Sequence, residues 1–179
     1  MGYDEKIFKS KANIKARRLW LVFAILLTAN YGTDTANGAY SVSNYIIFVI
    51  LCWLPFVCGD ILLKRKGKDN DHYRLAFVIG YGIFYVFLLC TTTSPIAFTY
   101  ILPIISLIVI FKDEKFMIYC AVANMLSLIA SIAFHIFVLG QNTAIDHKNF
   151  QLQIACLLLC YIGYIMSVRH LTESDARSE

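Results

Sequence analysis

Apolar residues along this chain come in six continuous blocks, separated by short polar stretches. The blocks run from Arg18 to Ala29, Tyr45 to Cys58, Arg74 to Cys90, Pro95 to Phe111, Phe116 to Gly140 and Phe150 to Val168. A helix crosses about 30 Å of hydrocarbon with roughly 17 to 25 residues, and each block reaches that length once its mildly polar flanks are counted. The first is the shortest and is expected to continue to Tyr31 or beyond. None of the blocks alternates apolar with polar residues, so a closed transmembrane barrel is excluded. The pattern predicts an all-α, polytopic membrane protein with six transmembrane helices. Residues 1–17 would form a cytoplasmic N-terminal segment, 18–168 the bundle, and 169–179 the start of a cytoplasmic connecting helix. The basic front and short core of the first block also suit a signal peptide, but no small-x-small cleavage site directly follows.

Polar residues inside the blocks fall on helical faces. In the fifth block Cys120, Asn124, Ser127, Ser131 and His135 recur at spacings of three and four, one face of a 3.6-residue helix. In the sixth, Gln153, Cys156, Cys160, Gly163 and Ser167 do the same. Tyr81 and Tyr85 lie one turn apart in the third. The run TTTSP, Thr91 to Pro95, reads as the turn between the third and fourth helices. Pro95 suits the first turn of a helix, and Ser94 or a preceding threonine suits its cap. Pro103 is expected about two turns into the fourth helix, bending it and freeing the Thr99 carbonyl. Pro55 is expected to bend the second near Leu51. In a bilayer, polar groups turn toward the bundle interior or a wet cavity. Tyr81, Tyr85, Thr99, Ser131, His135 and Gln153 therefore line a candidate ligand pocket that opens outward. The same groups also serve as interhelical hydrogen bonds in a bundle with no ligand.

Charge then orients the chain. Fifteen of its sixteen basic residues lie before or at the first residue of the first block, between the second block and the first residue of the third, between the fourth and fifth, or after the sixth. Threading six helices in order puts all four segments on one side, with Lys148 opposite, and the positive-inside rule makes that side cytoplasmic. Both termini are then in the cytoplasm, and the bacterial cell membrane is the expected location. The net charge of +4 is accounted for by anionic lipid at the inner surface, without a nucleic-acid partner. Only 16% of residues are charged, against about 25% in soluble domains.

Other chemistry is sparse. The six cysteines lie within or beside the apolar blocks and read as small packing residues. No metal or cofactor site is expected. VIGYG, Val78 to Gly82, resembles a potassium-selectivity filter in letters, but it sits inside a helical block where extended backbone is not tolerated. Its glycines suit close helix packing. Asp60 is expected to pair with Lys64 at the membrane surface. No nucleophile triad, phosphate loop or zinc-protease motif is present, and no loop is long enough for a soluble domain.

The chain resembles the N-terminal six-helix membrane region of bacterial methyl-accepting chemotaxis proteins. KANIKARRLWLV, LCWLPFVCGDILLKRKG, IGYGIFYVFLLCTTTSPIAFTYILPIISLIVIFKDEKFMI and IACLLLCYIGYIMSVRHLTESD carry the resemblance. Similar regions precede diguanylate cyclase or kinase modules. The resemblance implies a non-enzymatic sensor, a homodimer formed through helix contacts, and cytoplasmic signalling machinery reached through the sixth helix by a domain beyond Glu179. Two other readings share the topology: the substrate-binding subunit of a small-molecule transporter, and an assembly protein whose polar stripes only hold helices together.

Overall fold

A computed structural model describes residues 3–92 and 94–176, so Thr93 and Arg177 lie outside the described residues. The described chain is helical, with six α-helices: α1 (Tyr3–Ala36), α2 (Val42–Lys66), α3 (His72–Thr91), α4 (Leu102–Ile108), α5 (Glu114–Phe137) and α6 (Ala144–Ala176). Four of them, α2, α3, α5 and α6, are long and apolar enough to cross a membrane. The chain divides into two compact units, with the boundary between Phe84 and Tyr85 inside α3.

The first unit packs α1 on α2. Ala12, Ala16, Trp20 and Ala24 are buried one turn apart, and the three alanines offer a flat strip with little side-chain bulk. α1 begins at Tyr3, so the expected N-terminal segment is helical and continuous with the first apolar block. Ser41 caps α2 by accepting from the Asn44 N–H, and Lys64, Arg65 and Lys66 meet the negative end of its dipole. Pro55 lies inside an unbroken α2. Its ring faces Gly80 of α3, where an added Cβ would overlap the proline, and one turn further on Gly59 leaves room for Tyr73. VIGYG is therefore ordinary helix, and Gly80 is the close-approach glycine; Gly82 faces open space. Trp20 closes this core with its ring edge-on to Phe77 and Tyr81, each at 5.2 Å between centroids.

Asp60 pairs differently from expectation. Arg17 of α1 grips it with Nε on one oxygen and Nη2 on the other at 2.7 Å. The guanidinium also lies 5.5 Å from the Phe56 ring centre. A planar guanidinium matches both carboxylate oxygens and an aromatic face at once, which a lysine ammonium cannot do. Asn13, buried one turn earlier, donates to the backbone carbonyls of Lys68 and Asn70 and so ties α1 to the α2–α3 loop.

The second unit pairs α5 with α6, and α4 also contacts α6. Asp113 caps α5 through the Phe116 N–H. Thr143 and Asp146 form a reciprocal cap at α6, each accepting from the other's backbone N–H. On α5, Met117, Cys120, Asn124, Leu128, Ser131 and His135 are buried, much as the periodicity predicts. The predicted α6 stripe is not the inner face. Beyond Gln153, the buried residues are Leu157, Tyr161 and Val168, whereas Cys156, Gly163 and Ser167 are exposed. The reason is local satisfaction: Ser167 donates to the Gly163 carbonyl within its own helix, so it needs no neighbour. Tyr161 instead receives a hydrogen bond from the buried Asn124 amide.

The fourth apolar block also departs from expectation. Residues Ala97–Ile101 are 3-10 helix, Leu102–Ile108 α-helix and Val109–Phe111 3-10 again. Pro103 falls in the first turn of α4, where its missing N–H breaks no intrahelical bond. The Thr99 carbonyl is not freed, since it accepts from the Leu102 N–H. Pro95 precedes the helical residues in a turn, and no side chain caps their start.

Candidate functional site

Within the second unit, the C-terminal end of α3, the turn after it, the C-terminal half of α5 and the first turns of α6 enclose a cavity of about 80 Å³. Among the described residues, six polar side chains are buried, and four of these line it: Thr92, Ser131, His135 and Gln153. Buried polar groups in a membrane helix bundle are costly unless they are partnered, so their concentration around one void marks the site.

Each has a definite arrangement. His135 points across α5 to the end of α3, where Nε2 lies 2.7 Å from the Leu89 carbonyl oxygen. A carbonyl only accepts, so this nitrogen carries the proton. Nδ1 faces the Gln141 side-chain amide at 2.9 Å. An imidazolium donating to the amide oxygen satisfies this contact, and so does a neutral ring accepting from the amide NH2 after it turns over. Gln153 donates through Nε2 to the Pro95 carbonyl at 2.9 Å, fixing the turn against α6 and leaving Oε1 without a hydrogen bond. Ser131 is buried in the cavity wall beside His135, one turn earlier on α5.

Three of the six predicted pocket residues, Ser131, His135 and Gln153, come together here. Tyr85 is buried behind the wall and donates to the Phe98 carbonyl at 3.0 Å, bracing the segment whose side chain lines the cavity. Thr99 turns away and donates to the Ile96 carbonyl, because a threonine in a 3-10 segment satisfies its hydroxyl three residues back. Tyr81 belongs to the first unit and packs on Trp20 and Phe84. Sequence reasoning missed Phe98, Gln141, Asp146, Asn149 and Phe150. A signal for the last three was present, since Asp146, Asn149, Phe150 and Gln153 are spaced at three, one and three. The apolar block begins at Phe150, so the capping turn before it was read as loop.

Among the described residues, no group of three or more His, Cys, Asp or Glu is placed to hold a metal ion. Cys52 and Cys120 are buried, while Cys58 and Cys156 are exposed. Comparison of the chain with protein-family models, curated proteins and solved structures found no match in any of the three.

Proposed function

We propose that the chain is the membrane-embedded input module of a bacterial signal-transducing receptor, acting in chemotaxis and without enzymatic activity of its own. Six helices span the cell membrane with both termini in the cytoplasm. A stimulus reaches the polar cavity from outside, and α6 carries the response to a cytoplasmic output domain. The observation that carries this reading is the continuity of α6. Its 33 residues run unbroken from the cavity wall at Asp146 and Gln153 to the charged turns at Arg169 and Glu173. At 1.5 Å per residue that is about 50 Å of rigid rod. Any shift at the cavity is then delivered to the far end as a tilt, rotation or displacement, with the ligand selecting between two packings of the bundle.

Two further points support it. The quoted likeness to chemoreceptor membrane regions covers most of the chain. The segment Ala97–Phe111 has only 15 residues, but its 3-10 portions rise about 2.0 Å per residue. The whole segment therefore reaches roughly 26 Å, close to the hydrocarbon thickness. The cavity is well below the roughly 300 Å³ at which sites for larger ligands begin, which disfavours transport of a vitamin-sized substrate.

The intact mass of the natural gene product in bacterial membranes tests the reading. A product that continues into a cytoplasmic signalling domain supports it; one that ends at Glu179 overturns it. In the extended product, one residue inserted after Val168 rotates everything downstream by about 100°. The expected result is locked or inverted output, and normal output would rule out transmission through α6.

A further inference from the structure

The cavity has a chemical preference that goes beyond its role as an input site, and the inference rests on that reading. We propose that it binds a small organic ammonium ion, of the size of methylammonium or dimethylammonium.

Size limits the ligand first. A cavity of 150 Å³ accepts benzene, so about 80 Å³ accommodates on the order of three or four heavy atoms. Charge comes next. The wall carries one carboxylate, Asp146, and among the described residues no Lys or Arg lines it. Asp146 Oδ2 is occupied by the Thr143 N–H and hydroxyl, while Oδ1 makes no hydrogen bond. Gln153, nine-tenths buried, adds its amide oxygen as a second acceptor at the same cavity. A carboxylate and an amide oxygen together suit a ligand that carries N–H donors. The rest of the wall suits the same ion, since Phe98 and Phe150 both border the cavity and aromatic faces attract alkylammonium groups.

Two features work against a cation, and neither prevails. The N-terminus of α6 contributes a partial positive charge of about half a unit, which the full negative charge of Asp146 exceeds. His135 is the second feature, but both its ring nitrogens are engaged, Nε2 by the Leu89 carbonyl and Nδ1 by the Gln141 side chain.

The test is titration of the chain in lipid nanodiscs with methylammonium chloride, against sodium chloride at equal ionic strength. Acetate and urea serve as anionic and neutral probes of similar size. The expected result is a saturable rise in Tm with methylammonium alone. Asp146→Asn keeps an acceptor for the Thr143 cap and should weaken binding about tenfold, the difference between a charge-assisted and a neutral hydrogen bond. Phe150→Leu leaves the cap intact and should weaken it about threefold or more through loss of the ring face. A shift with acetate or urea that Gln153→Leu removes would overturn the ammonium assignment and leave the input site standing. No saturable shift with methylammonium would also overturn it. The insertion in α6 tests the sensor reading independently, because it needs no ligand.

Discussion

The two units use similar residues to opposite ends. In the first, Trp20, Phe77, Tyr81 and Phe84 interlock, and the niche between Trp20, Pro55 and Tyr73 has no room for a water molecule. Its one buried polar side chain among the described residues, Asn13, spends its amide on two backbone carbonyls. Among the described residues, the second unit buries five polar side chains and keeps a cavity beside four of them. The contrast lies in where buried polar side chains gather, since the first unit also leaves the Asn70 side-chain nitrogen without a hydrogen bond. The first unit is packed around aromatic rings and the second around a polar cavity.

The largest effect that would break this contrast is expected at Gly80. Gly80→Ala places a methyl group on the rigid Pro55 ring, and overpacking of this kind costs about 1–3 kcal/mol. The matching change in the second unit, Gly163→Ala, meets nothing within 4 Å and should be neutral or stabilising by up to about 1 kcal/mol. Thermal unfolding of both variants in the same detergent measures the difference, and equal losses would erase the distinction in packing.

Next comes Arg17→Lys. It retains the charge but loses the two-point grip on Asp60 and the contact with the Phe56 ring. The pair is partly exposed, with side-chain accessibilities of 38% and 20%, so the loss should fall near 1 kcal/mol, between surface and buried pairs. Because the groups contact directly, raising salt from 0.05 to 0.5 M (about 14 to 4 Å in screening length) should reduce the difference only in part. Complete loss of the difference at high salt would mark the pair as a surface contact.

The smallest effect concerns Lys9, whose hydrogen bond to Asp71 raises its affinity for a proton above the ordinary lysine value of 10.5. The sign follows: its contribution is full below about pH 10.5 and is lost as pH climbs through the higher folded value. Asp71→Asn should therefore flatten the alkaline end of the stability profile between pH 10 and 12, measured by denaturation in detergent. An unchanged profile would show that the contact contributes nothing.

Parts of the site could be read from residue order. Ser131 and His135 share a helical face of α5 by the 3.6-residue period, and Gln153 of α6 meets them at one cavity. Tyr81 and Tyr85 show the limit of the same rule. They share a helical face, yet one lies on each side of the boundary between the compact units. Asp60 shows another limit. Lys64 was its neighbour along the helix, but Arg17 is 43 residues away and has the shape that fits a carboxylate.

Apolar block length, basic-residue position and helical periodicity are properties of short stretches of chain. They specified the helical class, the boundaries of α3 and α5 within a few residues, and most of the buried face of α5, whereas α2 runs eight residues past its apolar block. The rotation of α6, the 3-10 winding around Pro103 and the partners of Asp60 and Tyr161 depended on long-range neighbours. A small polar side chain can satisfy itself within its helix or across to another, and the two choices differ by about 1 kcal/mol or less. Packing around it makes that choice, which is why the cavity took half of its predicted lining and drew other residues from the turn after α3, the 3-10 segment and the cap of α6.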